Sequence, residues 1–521
     1  VLVELEKNKT LLETLKNSFG LKTFREGQQQ IIQDIMDKKD VLAVLPTGGG
    51  KSLCYQLPAV HLNRLVIVIS PLIALMKDQV ASLQARGISA GALHSGQSDV
   101  EKRIVFSQIE RGGAFVLYLS PERAQKEGFQ RWIRQKEIGL FAIDEAHCVS
   151  QWGHDFREEY SQLKILKALR PDVPVLALTA SATPMVLADV SKNLALVKPQ
   201  RHVHGFYRPN LYYQVETCSD EESKLEMLHA ALKQFTSGRV IVYCGTRKVT
   251  EELASHLQKT NANVGFYHAG LSTSDRNMTQ EAYTKGDLRI LVATNAFGMG
   301  IDQPDVRLVV HYQMPANIDS LYQEMGRAGR DGQPSTCLML YAKKDKGLQS
   351  YFISSSEAAY EIKESRWRTL DALVNYSEGG ECRHAEILTY YRDAQRITRC
   401  GHCDSCEVQS ARRVQRPPKK ITANVMKTKR KASRSADFVE TDLDDEQELR
   451  FQALKAWRKA KAQELDAPAF VVFSDQTLKQ LSIKNPQSLD ELGSVYGIGE
   501  AKIAKYGWDV LAELAAVHPG V

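Results

Sequence analysis

Two series of short, almost wholly apolar runs, each alternating with helix-patterned stretches, set the tightest limit on how this chain can fold. The first series reads VLAVL at 41–45, LVIVIS at 65–70, AFVLYLS at 114–120, LFAI at 140–143 and PVLALT at 174–179. The second reads RVIVY at 239–243, NVGFYH at 263–268, RILVA at 289–293, RLVVHY at 307–312 and TCLMLY at 336–341. Runs this short and this apolar are those of parallel strands covered by helices on both faces. Two sets of five predict two open α/β layers in tandem, over residues 1–205 and 206–345. After 345 the strand patterns cease, and residues 346–410 read as helices ending in a cysteine cluster. Residues 411–446 are rich first in Lys and Arg, then in acids, and poor in apolar periodicity, as a linker is. Residues 447–521 read as a compact helical bundle. No apolar run is long enough to span a bilayer, so no membrane association is expected. The net charge of +6 permits a polyanionic partner but does not require one.

The stretch VLAVLPTGGGKSLCYQL at 41–57 has the order strand, Gly-rich turn, helix. Gly48, Gly49 and Gly50, with Thr47 before them, let the backbone approach a polyphosphate without Cβ clashes, and the helix start offers free N–H groups. Lys51 is the candidate partner of the β and γ phosphates and Ser52 a candidate Mg²⁺ ligand. Leu45 stands where the usual phosphate loop has its first glycine. A second run, LFAIDEAH at 140–147, ends a strand in two acids at the sheet edge where the phosphate loop also lies. Asp144 is expected to hold Mg²⁺ and Glu145 to orient or deprotonate the attacking water. Together the two stretches predict nucleoside triphosphate hydrolysis.

In QEMGRAGRDG at 323–332, Arg327 and Arg330 are three residues apart and, if helical, share a face as a cationic fork. Lying in the second layer, they would complete the nucleotide site across a cleft between the layers and stabilise the transferring phosphoryl group. Cys382, Cys400, Cys403 and Cys406 supply four soft ligands suited to tetrahedral Zn²⁺ with no open position, hence a structural site; His384 and His402 are possible substitutes. The remaining cysteines, Cys54, Cys148, Cys218, Cys244 and Cys337, read as buried thiols in a reducing compartment.

With these stretches in hand, the chain resembles the RecQ family of DNA helicases, in helicase superfamily two. The likeness is carried by FREGQ at 24–28, PTGGGKS at 46–52, SPLIALMKDQ at 70–79, DEAH at 144–147, CVSQWGHDFREEY at 148–160, TASAT at 179–183, ILVATNAFGMGID at 290–302 and QEMGRAGRDG at 323–332, in the family's order. The resemblance implies two RecA-like motor domains, a helical zinc-binding subdomain and a C-terminal HRDC-like bundle. It implies an ATP-dependent helicase that moves 3′ to 5′ on single-stranded DNA, unwinds tailed or branched duplexes and serves repair or recombination. It implies ATP, Mg²⁺ and Zn²⁺ as ligands, a monomer, and a place in the bacterial cytoplasm at the nucleoid, or in a eukaryotic nucleus.

By the same resemblance, Arg25 and Gln28 would read adenine, and Arg330 would be the main arginine finger with Arg327 beside it. Trp152, His154, Phe156 and Arg157 would form an aromatic-rich loop that meets single-stranded DNA, since rings stack on any base and Arg neutralises phosphate. Two features depart from the family. Leu21 stands where an aromatic residue usually stacks on adenine, so that π-contact is missing. The stretch between Cys406 and residue 447 is too short for a winged helix. The basic run within 412–434 is its candidate substitute as a phosphate contact. In the bundle, Leu449, Leu454, Trp457, Phe470, Leu478, Leu481, Leu489, Leu492 and Ile503 are the expected core, and the helix start carrying Lys502 and Lys505 either holds a DNA phosphate or is a plain helix–helix turn. The rival functions are a DNA-stimulated ATPase, translocase or annealing factor that unwinds weakly, a non-catalytic DNA scaffold, and an RNA helicase.

Overall fold

The computed structural model describes the whole chain except residues 1, 47, 95, 154–155, 262, 299–302, 418–442, 466–468, 496 and 518–521. Thr47, His154 and most of the basic and acidic linker therefore lie outside the described residues, as does the side chain of Phe470.

Among the described residues, thirteen strands form two all-parallel sheets. The first contains β1 (Val41–Val44), β2 (Leu65–Ile69), β3 (Ala90–Leu93), β4 (Phe115–Leu119), β5 (Ile138–Ile143), β6 (Val175–Thr179) and β7 (Gln200–Val203), in the order β3-β4-β2-β5-β6-β1-β7. The second contains β8 (Leu211–Thr217), β9 (Arg239–Tyr243), β10 (Val264–Tyr267), β11 (Ile290–Ala293), β12 (Val306–His311) and β13 (Ser335–Tyr341), in the order β10-β11-β9-β12-β13-β8. Every apolar run read from the sequence is a strand, and β1, β2, β4, β5 and β6 are buried along their whole length. The tandem α/β layers are thus two RecA-like lobes, but with seven and six strands rather than five each. The three additional strands all lie at sheet edges. β3 is Ala-Gly-Ala-Leu, too small-sided to carry a β-branched signature, and β7 is Gln-Arg-His-Val, half-exposed and polar. β8 mixes apolar and polar residues because its outer edge is not solvent.

That outer edge is covered by the cysteine-rich segment. Cys403 pairs with Tyr213 as a parallel bridge, Asp404 N donates to the Tyr213 carbonyl at 2.9 Å, and Val215 N donates to Asp404 Oδ2 at 2.9 Å. Beyond the cluster, the buried Gln214 exchanges two hydrogen bonds with the backbone of Val414, both at 2.9 Å. An edge strand that would otherwise invite foreign pairing is closed by the chain itself. Between Cys406 and the helix beginning at Asp445, the described residues contain no helix or strand.

Helices Lys343–Ser355 and Tyr360–Glu378 follow β13. They are tied to the second lobe by a fully buried ion pair: Lys224 Nζ lies 2.7 and 2.9 Å from the two Asp345 oxygens and 2.9 Å from the Tyr312 carbonyl. The C-terminal bundle packs its own core around Phe451, Leu454, Leu478, Leu481 and Leu492, with Trp457, Leu489 and Ile503 partly buried against it. Leu449, expected in that core, is 58% exposed; it sits on the outer face of helix Asp445–Glu464. The bundle docks on the helical module through Arg458, buried between Asp475 (2.6 Å) and Glu381 (3.2 Å), and through Ser474, which donates to Glu378. Lys502 belongs to this seam rather than to an open phosphate site. Its Nζ lies 4.9 Å from the Phe473 ring centroid, and burial pushes its pKa down to about 8 against the pull of Asp371 and Glu378 across the seam.

Candidate active site

Strand order explains how distant stretches meet. β5, β6 and β1 are neighbours, so their carboxyl ends deliver Asp144–Glu145, Thr179–Ser181 and the phosphate loop to one rim of the first sheet. In the loop, Gly48 and Gly50 have φ of +79° and +77°, the left-handed region that side chains avoid. The loop is braced from behind. Gln28, 2% exposed, accepts from Arg25 N at 2.8 Å and donates to the carbonyls of Gly49 and Gly50 at 3.2 and 3.0 Å, while the Arg25 guanidinium donates to the Gly48 carbonyl. The Gln28 amide and the Arg25 guanidinium are thus both bonded to the phosphate loop they precede in the chain. Lys51 and Ser52 follow the loop at the start of helix Leu53–Leu62.

Asp144 is 6% exposed, with Glu145 beside it and Lys51 near enough to act on it electrostatically. Burial first, and the Glu145 carboxylate second, push the Asp144 carboxyl up to about 7 against the opposing pull of Lys51. Glu145 adopts φ 49°, ψ 46°, unusual for a residue with a side chain and the kind of strain that collects at functional sites. Its Oε2 is buried and accepts no hydrogen bond, with His147 Nδ1 at 3.4 Å. A buried carboxyl held near neutrality and an orphaned carboxylate oxygen form a donor set that fits a hard divalent cation.

A polar relay that the sequence did not reveal runs outward from this pair. His147 Nδ1 lies 2.9 Å from Thr179 Oγ1, Thr179 Oγ1 donates to the Ser181 carbonyl at 3.0 Å, and Gln323 Nε2 of the second lobe donates to Ser181 Oγ at 3.0 Å. The stretches TASAT and QEMGRAGR were visible, but their contact depends on strand order, which no local pattern encodes.

The two arginines part company. Helix Ile318–Met325 stops before them, and residues 326–331 form successive turns, with Gly329 at φ +55°. The shared helical face is therefore absent. Arg327 turns into its own lobe, 9% exposed, and donates to the Gly298 carbonyl. Arg330 faces the first lobe: a methyl group built on Gly48 would come within 3.4 Å of Arg330 Cγ. The turn is held by the interlobe segment, where Arg208 donates to the carbonyls of Ala328 (3.0 Å) and Gly329 (3.1 Å) and Asn210 donates to Gly329 (2.8 Å).

The loop after DEAH folds back on it. Arg157 N donates to the Cys148 carbonyl at 3.0 Å, and Gly153 passes so close to the His147 carbonyl oxygen that a Cβ there would lie 2.5 Å from it. Trp152 and Phe156 are 37% and 39% exposed, so neither is a core residue. Trp152 lines a cleft of about 450 Å³ between the lobes.

The four cysteine sulfurs lie within 4.8 Å of one another, near the spacing a tetrahedral zinc requires. The Cys400 and Cys403 thiols beside it draw Cys382 down, while Cys400 is pushed up by the same contacts, so the thiols titrate as one coupled set. The two histidines lie beside the thiols: His384 Nε2 meets the Leu211 carbonyl at 3.2 Å, and His402 bonds the Leu211 carbonyl (3.0 Å) and Tyr207 OH (2.9 Å), so both His402 ring nitrogens are engaged while the four thiols converge. Gly401, at φ +74°, makes the turn between ligands.

Comparison with known proteins agrees with this architecture. Family models match for the DEAD/DEAH box helicase domain over residues 25–190, the helicase conserved C-terminal domain over 223–332, RecQ zinc-binding over 343–407 and the HRDC domain over 447–514. The ATP-dependent DNA helicase RecQ of Bacillus subtilis is 34% identical, over 96% of this chain and 98% of that protein. A second protein of that organism, named Probable ATP-dependent DNA helicase RecS, is 43% identical over 73% of this chain and 76% of its own length. Among solved structures, the Mycobacterium smegmatis helicase Lhr bound to single-stranded DNA and AMP-PNP superposes with a TM-score of 0.52 at 18% identity, covering 71% of this chain and 53% of Lhr, a likeness of fold. None of the helices among the described residues is long and apolar enough to cross a membrane. Two lobes meeting at a phosphate loop, a four-cysteine module on the second lobe and a relative matched over nearly its whole length establish that the chain belongs to the RecQ family of ATP-dependent DNA helicases.

Proposed function

We propose that this helicase moves 3′ to 5′ along single-stranded DNA and unwinds tailed or branched duplexes in repair or recombination, with ATP held between the lobes. The observation that carries the reading is Arg330 of the second lobe lying against Gly48 of the phosphate loop, with Gln323 and Ser181 bonded beside it. In this reading the backbone of Gly48–Gly50 and the Lys51 ammonium hold the triphosphate, and Arg330 neutralises charge on the transferring phosphoryl group. Ser52 and Asp144 would hold Mg²⁺, which supplies charge compensation for the phosphates. Glu145 orients and deprotonates the attacking water. Arg327 keeps the turn in place through Gly298 and acts on Arg330 rather than on the nucleotide. Arg25 and Gln28 set the loop's shape and would read adenine beside it. The four cysteines would hold Zn²⁺, which cross-links the module. Trp152, Phe156 and Arg157 meet single-stranded DNA, and their loop reports to Glu145 through the contact of Gly153 with His147.

Because the relay from Glu145 to Gln323 crosses the cleft, any change in lobe separation alters the groups around the water-activating carboxylate. A monomer contains every part of this site. The proposal is tested by strand displacement on 3′-tailed, 5′-tailed and blunt duplexes, with single-stranded DNA and RNA compared as ATPase activators. Unwinding of the 3′-tailed substrate alone, abolished in Lys51→Ala and reduced about a thousandfold in ATPase turnover in Arg330→Ala, is the expected result. ATP hydrolysis without displacement would favour a translocase instead.

A further inference from the structure

The cleft beside Trp152 has a third wall that neither motor sheet supplies. Trp152 of the first lobe and Gly245, Asn295 and Gln313 of the second line it, and helices Lys343–Ser355 and Tyr360–Glu378 close its far side. The first helix presents Gln349, Phe352 and Ile353, the second Ile362, Ser365, Arg366 and Thr369; spacings of three and four keep each set on one face. Phe352 is 43% exposed, close to Trp152 in accessibility. Arg366 is exposed and, among the described residues, forms no ion pair, whereas Arg368, two residues on, is held by Glu364 at 3.1 Å. The acids of the lining are already engaged. Asp319 accepts from the hydroxyls of Tyr390 (3.2 Å) and Tyr391 (3.0 Å), and Glu324 meets His311 at 2.8 Å. The cleft thus offers rings on opposing elements, one uncommitted guanidinium, and amides and hydroxyls between them. A single strand of nucleic acid matches that set, because bases stack on rings of any kind and a phosphate seeks an unpaired arginine.

We propose that this helix pair is the third wall of the single-stranded DNA groove, with Phe352 stacking on a base across the cleft from Trp152 and Arg366 holding a phosphate. The proposal rests on the helicase reading above. Trp152 belongs to the first lobe, and the helix pair is fastened to the second through Lys224 and Asp345. The grip on a base therefore tightens or loosens with the separation of the lobes.

The test is fluorescence anisotropy of the full chain with an oligo(dT) strand and with a duplex of equal length, over a salt series. Phe352→Ala is expected to weaken single-strand binding about tenfold, while Phe352→Tyr, which keeps a ring, retains it. Arg366→Ala is expected to lower the slope of log K against log salt by about 0.7, the share of one single-strand phosphate. Arg368→Ala is expected to change neither. If Phe352→Ala and Arg366→Ala bind as the parent does while Trp152→Ala is weakened, the third wall is wrong and the helicase reading stands. An equal loss in Phe352→Tyr and Phe352→Ala overturns stacking, and a loss confined to the duplex overturns the choice of occupant. Failure of the parent chain to bind single-stranded DNA at all overturns the helicase reading itself.

Discussion

Asp404 lies inside the cysteine cluster but is not part of its sulfur set, and replacing it separates the module's docking from its metal site. Its carboxylate is 7% exposed and carries four bonds: Oδ1 accepts from Arg383 Nε at 2.9 Å and from Ser405 Oγ at 3.3 Å, and Oδ2 accepts from Arg383 Nη2 at 3.2 Å and from Val215 N at 2.9 Å. Arg383 is 6% exposed and otherwise donates to the Tyr376 carbonyl. Asp404→Ala leaves that guanidinium buried without its main counter-charge, a loss of about 3–5 kcal/mol in comparable settings. It also strips the acceptor from Val215 N at the sheet edge, about 1–3 kcal/mol more where water cannot reach. Glu386, which also acts on Arg383, offsets part of this, so about 4 kcal/mol is expected in all. For a unit the size of one lobe with its module, that lowers the melting temperature by roughly 10 °C.

The assay is thermal unfolding followed together with a zinc-sensitive dye. Asp404→Ala should melt early yet hold its zinc at room temperature, because all four thiols remain; Cys403→Ser should lose both. Arg383→Met combined with Asp404→Ala should recover much of the loss, because the stranded charge is gone, giving a coupling of about 2 kcal/mol or more. A melting temperature within about 2 °C of the parent, or strict additivity of the two substitutions, would refute the reasoning.

Other expectations follow from the same geometry. Asp144 titrates near 7, so below that pH a cation must displace its proton; apparent Mg²⁺ affinity should fall about tenfold per pH unit below 7 and level off above it, measured as Mg²⁺ dependence of ATPase with nucleotide protonation corrected. Gly153→Ala cannot keep the loop against the His147 carbonyl and should lose most DNA stimulation of ATPase while nucleotide binding, read by fluorescence, is kept. Lys224→Met strands the buried Asp345 and should cost about 3–5 kcal/mol in urea unfolding. Burial already pushes the Asp345 carboxyl up, so this penalty should shrink as the pH falls and Asp345 takes a proton.

The sequence made legible what local patterns can carry. Buried central strands such as LVIVI and VLALT announce themselves because both faces need apolar side chains. The edge strands β3 and β7 do not, one being small-sided and the other polar. In β8, the buried Gln214 has its amide satisfied chiefly by the backbone of Val414, far along the chain. The phosphate loop, the acid pair and the four cysteines are local in sequence or chemically unmistakable. Arg327 and Arg330 would share a face only in a helix, and turns with the left-handed Gly329 replace the helix there, so Arg327 meets Gly298 in its own lobe while Arg330 lies against Gly48. The bracing role of Gln28 and the relay through Thr179 and Ser181 depend on which strands are neighbours.

Those long-range contacts also decide which parts must move together. The segment between the lobes is not a free tether. Phe206 is stacked on Tyr391 at 4.1 Å, with its N–H on Asp393, and Tyr207 OH meets His402 within the cysteine cluster. The next residue, Arg208, holds the turn that carries Arg330. One short run of chain therefore joins the zinc module to the arginine that faces the phosphate loop. A lobe movement that pulls on this run must either break a buried bond at Asp393 or carry module and arginine turn as one body. The second course keeps the Phe206 N–H on its acceptor, and a buried N–H left without one is expensive. Just before that run, Gly205 has φ +81° and lies so near Pro46 that a Cβ there would come within 3.1 Å of it, so the run begins against the stem of the phosphate loop.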